Sequence, residues 1–486
     1  MTNEVRVDYE IVIGLECHVQ LLTNSKMFCG CATDYDGTPP NTRVCPVCLG
    51  LPGALPVINR KAVEFTLMTG LALHCEIAEF AKFDRKNYHY PDLPKGYQIS
   101  QYDLPLTRNG WLDIDADGET KRIGITRVHL EEDTAKNTHV DDVSLIDYNR
   151  SGVPLMEIVS EPDLRSPEEA RQYAARLREV LVWIGVSTGD MEAGAMRVDA
   201  NISVRPQGET ALGVKTEIKN MNSFRAVKLA LEYEAARQID VLRRGGQIVQ
   251  ETRGWVEAEG RTVSQRSKEY AHDYRYFPEP DLPPLVVSRD DVQTVESKLP
   301  ELPESRRERY TTRFGLSAYD ADVLTGSRAV GDYYEAAVAA HGAPKTVANW
   351  VTGELFRLLK AHAVEVEAVK VSPANLAALI RLVDDKAINI TVAKSVLEEM
   401  FATGKSAKDI VAEKGLTQIS NTDQLRQMAV EVIAANPKAV ADYHGGKPTA
   451  VKFLVGQVMR ASRGQADPVI AGAVLEELLK RDGSAE

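Results

Sequence analysis

Ile11-Val-Ile-Gly-Leu-Glu-Cys-His-Val-Gln-Leu21 alternates between two kinds of side chain. Ile11, Ile13, Leu15, Cys17, Val19 and Leu21 form an apolar face, while Val12, Gly14, Glu16, His18 and Gln20 form the other. A period of two marks a β-strand with one face buried and one face carrying polar groups. Arg197 to Arg205 repeats the pattern, with Val198, Ala200, Ile202 and Val204 set against Arg197, Asp199, Asn201, Ser203 and Arg205. Lys215-Thr-Glu-Ile-Lys219 continues it, with Lys215, Glu217 and Lys219 on one face. The three segments read as neighbours in an antiparallel sheet whose polar face is open.

Helices punctuate this sheet. Ser166-Pro167-Glu168-Glu169 has the form of an N-cap, a proline at the first helical position and a capping-box glutamate, which predicts a helix to about Ile184 and a stop at Gly185. Ser223 caps a second helix that ends near Arg244, before Gly245-Gly246. Six of the 23 prolines fall between Pro278 and Pro303 and mark a boundary. Beyond it the pattern turns helical and rich in Ala and Leu, with Ser372-Pro373 opening one helix. The expected fold class is α+β followed by an all-helical part, divided as 1–298, 299–405 and 406–486.

The 486 residues carry 58 basic and 70 acidic side chains, a formal charge of −12. Nucleic acid is held by Lys and Arg, so such a partner requires a local basic surface. From Val411 to Glu486 nine bases balance nine acids, and the acidic excess lies in the preceding 410 residues. Within that tail, Lys447, Lys452, Arg460 and Arg463 fall in a stretch with no acid, fit for a phosphate backbone or for a solvated helix face. No apolar run approaches the ~20 residues that span a bilayer. Met1 to Glu10 has no signal-peptide pattern, and the expectation is a cytoplasmic protein without a membrane role.

Cys29-x-Cys31 and Cys45-Pro-Val-Cys48 make two close pairs separated by 13 residues, the spacing of a closed four-thiolate zinc site. Four reduced, packed thiols are the plainer alternative. Cys17 and Cys75 lack such partners and read as small buried hydrophobes. Glu16 and His18, two apart on a strand, project to the same side. Arg127-Val-His-Leu-Glu-Glu-Asp133 gathers ionisable groups at the end of another strand, and Glu157 sits inside the apolar run Val153 to Val159. A buried carboxylate needs a partner. A divalent cation shared by Glu16, His18, Glu157 and one of Glu131 or Glu132 supplies it, and separate ion pairs would do so as well. No P-loop, dinucleotide fingerprint, zinc-protease or serine-hydrolase motif is present. Arg85 to Tyr97 and His272 to Tyr276 interleave bases with aromatics, a pattern that stacks on nucleotides or lines a sheet rim.

Several long stretches, in order and nearly end to end, resemble one family. They are Tyr9 to Gln20, Arg85 to Gln101, His129-Leu-Glu-Glu-Asp133, Pro154 to Pro162 and Asp273-Tyr-Arg-Tyr-Phe-Pro-Glu-Pro280. The family is the B subunit of the aspartyl/glutamyl-tRNA(Asn/Gln) amidotransferases. The resemblance implies an N-terminal cradle around an antiparallel sheet, similar to glutamine synthetase, and a helical tail that grips tRNA. It implies ATP-dependent activation of the side-chain carboxylate of misacylated Glu-tRNA(Gln) or Asp-tRNA(Asn), followed by amidation. Ammonia would come from the glutaminase (A) subunit, with the small (C) subunit completing a heterotrimer. The resemblance puts Mg2+ on Glu16, His18, Glu132 and Glu157, and Lys95 near the ammonia path. The polar faces of the strands, through Arg197, Asp199, Asn201, Arg205, Lys215 and Lys219, are our own candidates for nucleotide or acceptor-end contacts. Zinc is a scaffold feature in this reading. The competing readings are a non-catalytic tRNA-binding scaffold and a free-standing metal-dependent ligase.

Overall fold

The computed structural model describes residues 7–267, 274–416, 422–447, 449–462 and 465–482. It divides into two compact units, Met1–Leu302 and Pro303–Glu486. The division falls inside the proline-rich stretch.

A 12-stranded sheet builds the first unit. The strand Tyr9–Gln20 lies in its middle, flanked antiparallel by Met196–Pro206 on one side and Pro154–Ser160 on the other. Outward from the former come Thr216–Met221, Glu251–Val256 and Arg261–Ser267; outward from the latter come Glu119–Glu132, Tyr97–Ser100, Asp84–Asn87 and Phe277–Pro278. The described ladders are antiparallel except that of Thr216–Met221 with Glu251–Val256, which is parallel. The architecture is therefore mixed α/β, a large sheet unit followed by helices.

Ile13, Leu15, Cys17 and Val19 are fully buried on one face of the sheet, in one core with Leu177 and Leu181 of the helix Pro167–Trp183 and Leu231 of Phe224–Arg243. The helix boundaries follow local chemistry. Glu169 N donates to Ser166 Oγ at 3.1 Å, and Gly185 leaves the helix at φ +74. Only half of the expected capping box forms, because the Glu169 carboxylate accepts from Arg165 N at 2.8 Å and from Lys121 at 2.6 Å. Ser223 caps Phe224–Arg243 as expected, accepting from Ala226 N at 3.0 Å. Helices leave one face of the central strands uncovered, and the polar residues of those strands collect there.

The second unit is helical throughout its described length and holds two apolar cores. One runs from Tyr310 to Ile410 and the other from Leu425 to Leu479. The division expected at 405/406 therefore falls too early. The helix Ala407–Lys414 buries Ala407 and Ile410 in the first of these cores, so it belongs with the preceding helices. Ser372 caps Pro373–Asp384, accepting from Asn375 N at 3.2 Å. Among the described residues no helix is long and apolar enough to cross a membrane.

Candidate active site

The central strands carry the site because strand pleating sends alternate side chains to one side. His18 lies opposite Glu157 on Pro154–Ser160, and Glu157 lies opposite His129 on Glu119–Glu132. All three point to the open face. Glu131, two residues beyond His129, points the same way. His18 Nε2 is 3.4 Å from Glu157 and 3.7 Å from Glu131, and His129 Nε2 is 3.6 Å from Glu157. One ligand atom each from His18, Glu131 and Glu157 lies within 4.8 Å of the others, a spacing that suits a shared cation.

Electrostatics set these groups apart. Burial opposes charge on His18, but the hydrogen bond and charge of Glu157, with Glu131 beside it, outweigh burial and raise the imidazole to about 9. His129 is lowered to about 4, by burial first and then by Arg127, against the pull of Glu157. Glu157 resists burial: His129, His18 and Lys86 hold it well below the usual carboxylate range. Glu131 is raised, by burial and by the charge of Glu157. Burial and Glu157 also raise Glu16, whose Oε1 accepts from Asn201 Nδ2 at 2.8 Å. The arrangement is a carboxylate-rich pocket that favours a bound cation, whether proton or metal.

Above this floor is a cleft of about 400 Å³. Glu16, His18, Glu157 and His129 share its lining with Lys86, Arg127, Lys215 and Lys219, and with Tyr102, Tyr274 and Tyr276. Tyr102 and Tyr276 stack at 4.1 Å between centroids, and Lys86 Nζ lies 4.9 Å over the Tyr274 ring. Cations and aromatic faces beside a floor of carboxylates and imidazoles suit a polyphosphate and a stacked base.

Several expected residues sit elsewhere. Glu132 is not in this group. The pleat that brings Glu131 to the open face turns Glu132 to the opposite one, where it accepts from Lys95 and from Ile99 N at 3.0 Å. Lys95 therefore belongs with Glu132, in a separate cavity of about 210 Å³. Arg205 is held by Glu10 at 2.6 Å and Thr210 O at 2.8 Å, away from the cleft. Arg197 pairs with Asp133 at 3.0 Å. Asp199 pairs with Lys219, and both line the cleft. Reading the sequence alone misses His129 and Lys86 as members of the site. The signal for both His129 and Glu131 is the alternation Arg127, His129, Glu131 against Val128 and Leu130.

The four cysteine sulfurs Cys29, Cys31, Cys45 and Cys48 lie within 4.8 Å of one another, at the end of the sheet. Zinc–sulfur bonds of ~2.3 Å place tetrahedral sulfurs roughly 3.8 Å apart, so the donor set fits that ion with small adjustment. A hydrogen bond shared with Cys29 lowers Cys48 to about 5, which favours a ligating thiolate there. Cys17 and Cys75 are free and buried, as expected.

Comparison with known proteins places this geometry in a family. A model described as the GatB/GatE catalytic domain matches residues 11–293, and one described as the GatB domain matches 332–479. The chain belongs to the GatB family. Similar relatives are named as the B subunit of aspartyl/glutamyl-tRNA(Asn/Gln) amidotransferase. That of Carboxydothermus hydrogenoformans is 54% identical over 479 residues, covering 98% of this chain and 99% of its own. That of Dehalococcoides mccartyi strain 195 is 56% identical over 487 residues, covering 97% and 99%. That of Roseiflexus castenholzii is 55% identical over 483 residues, covering 98% and 100%. The GatB catalytic-domain match spans the cleft, the His18–Glu131–Glu157 group and the four cysteines, and the second GatB match spans most of the helical unit.

Proposed function

We propose that this chain activates the side-chain carboxylate of misacylated Glu-tRNA(Gln) or Asp-tRNA(Asn) with ATP and joins it to ammonia. The products are Gln-tRNA(Gln) or Asn-tRNA(Asn). The observation that carries this reading is the His18–Glu131–Glu157 group beneath a cleft lined by both basic and acidic side chains, in a chain of the GatB family. In this reading the chain is the ligase component of a larger complex. A glutaminase partner, the A subunit, supplies ammonia, and a small partner, the C subunit, completes the assembly. The open-faced sheet unit is then a cradle of the glutamine synthetase kind, suited to phosphorylating a carboxylate without a P-loop.

His18, Glu131 and Glu157 would hold Mg2+, with Glu16 beside them and Asn201 fixing its carboxylate. Bound there, the ion supplies charge neutralisation for the transferring phosphoryl group. Lys86, Arg127, Lys215 and Lys219 face the same space and suit the phosphate oxygens. We assign Lys95, paired with Glu132 on the other side of the sheet, to the ammonia path. The four cysteines would hold zinc as a brace. The test is the reconstituted complex with both misacylated tRNAs, ATP and glutamine. ATP-dependent amide formation on at least one tRNA is expected. Intact tRNA binding with no ATP turnover would instead make the chain a scaffold, and activity without tRNA would make it a free-standing ligase.

We assign tRNA binding to the helical tail. Lys452 and Arg460 are exposed on the helix Thr449–Ala461; Lys447 is also exposed and pairs with Asp442 at 2.8 Å, and Arg463 lies outside the described residues. Reversing Lys452 and Arg460 to Glu is expected to weaken tRNA binding by on the order of 10–100-fold and to lower the slope of log affinity against log salt by about two. An unchanged salt slope, measured by filter binding of the full complex, would remove the tail from the tRNA interface.

A further inference from the structure

We propose that Lys26 is the buried counter-charge of the four-cysteine metal centre, an electrostatic positioning residue that makes the thiolate cluster tolerable inside the fold. The proposal rests on the zinc reading of that cluster.

Lys26 is 0% exposed. Its backbone N–H donates to Cys31 O at 2.9 Å, which ties it to the first cysteine pair. Its ammonium donates to Arg43 O at 2.7 Å, two residues before Cys45, to Tyr148 O at 3.3 Å, and to Cys48 Sγ at 3.8 Å. One residue thus spans both halves of the site.

The partners are instructive for what they lack. Two are neutral carbonyls and one is a sulfur. Among the described residues no carboxylate pairs with this ammonium. Glu132 faces the same cavity, but it is already held by Lys95 and by Ile99 N. A fully buried cation without an anion is costly, and proteins rarely retain one. Without metal, the sulfur of Cys48 is the one candidate counter-charge among the partners of Lys26. With a divalent zinc and four thiolates the centre carries 2 − 4 = −2, and the ammonium lies against one of its sulfurs. The metal-loaded cluster is the state in which both buried charges are compensated. Partners beyond the ligands themselves typically govern metal affinity in this way.

The same contacts link the centre to the active-site strand. Gly152, whose φ of +85 favours glycine, packs against both: a side-chain carbon there would sit 3.5 Å from Cys48 and from Lys26, an ordinary contact. Met27 N donates to Gly152 O at 2.7 Å, two residues before the strand that bears Glu157 begins.

The experiment compares the full-length chain with Lys26→Met and Lys26→Gln. Zinc affinity is measured by competition with a chromophoric chelator, and melting temperature is measured with and without zinc. Both substitutions are expected to lower zinc affinity about 10–100-fold. The metal-free Met variant is expected to melt at or above the metal-free parent, because a buried charge with no carboxylate partner has been removed. Lys26→Gln keeps an N–H donor without the charge, and separates charge from hydrogen bonding if the Met variant does not fold. Parental zinc affinity in the Gln variant, or equal loss of stability in both metal states of the Met variant, overturns the proposal. A parent chain that takes up no zinc overturns the zinc reading itself.

Discussion

Glu157→Gln is expected to abolish ATP-dependent carboxylate activation in the reconstituted complex, with a loss on the order of 10²–10³-fold or more. The glutaminase partner's release of ammonia from glutamine should continue. Glu157 is the carboxylate nearer to both histidines, His18 at 3.4 Å and His129 at 3.6 Å, against 3.7 and 4.0 Å for Glu131. It is also the one that its surroundings hold ionised despite burial. Glutamine keeps the volume and removes the charge, so the loss falls on the cation and on the phosphoryl group it would neutralise, not on packing. A matched pair tests the assignment of the third ligand. Glu131→Gln should weaken Mn2+ binding to the full chain by about 10–100-fold. Glu132→Gln should leave Mn2+ binding within about twofold, since its carboxylate is spent on Lys95 and Ile99 N. If Glu132→Gln loses the ion and Glu131→Gln keeps it, the pleat argument is wrong.

Asp133→Asn should destabilise the sheet unit by about 3–5 kcal/mol. Asp133 is 2% exposed and directly follows the strand Glu119–Glu132. Its carboxylate accepts from Arg197 at 3.0 Å, from Gln20 Nε2 at 2.7 Å and from Thr134 N at 2.9 Å, with Arg150 at 3.8 Å. These groups come from different parts of the chain, so the substitution leaves two guanidinium groups facing a neutral amide and removes a tie between strands. Burial pushes the carboxyl up, but Arg197 and Arg150 win and hold it below its usual range. The sign follows: its stabilisation is complete above the ordinary carboxylate value of about 3.9 and is lost as pH falls through the lowered native value. Urea unfolding at neutral pH should show the deficit, and it should shrink in strong acid. Equal stability at neutral pH would mean that Arg197 finds another anion.

Much of the site is legible in the sequence because β-strands expose their chemistry by parity. The spacing of residues 11–21 alone puts Glu16 and His18 on one open face, and the cysteine pairs announce a cluster without any knowledge of the fold. The rest is harder for two reasons. On the strand that carries Glu131 and Glu132, adjacent acids look interchangeable until their neighbours are placed: Val128 and Leu130 are buried with the core, so His129 and Glu131 must share the other face. Partners across the sheet leave no local trace at all. Arg205 shows the right alternation, yet Glu10 on the neighbouring strand already claims it. Arg197 is likewise claimed by Asp133, 64 residues earlier in the chain. The boundary near residue 406 fails for a similar reason, since a helix of ordinary composition belongs to whichever core buries Ala407 and Ile410.

Consecutive glutamates serve opposite sides of one sheet: Glu131 faces the cleft and Glu132 faces the Lys95 cavity. The arrangement makes this strand intolerant of changes in length. Deleting or inserting one residue between Gly124 and His129 would turn Glu131 away from the cleft and Glu132 toward it, and would also send His129 into the core and Leu130 to the open face, since a shift of one residue inverts every side chain that follows. Libraries that vary the sequence here should therefore return many tolerated substitutions and almost no functional single-residue insertions or deletions.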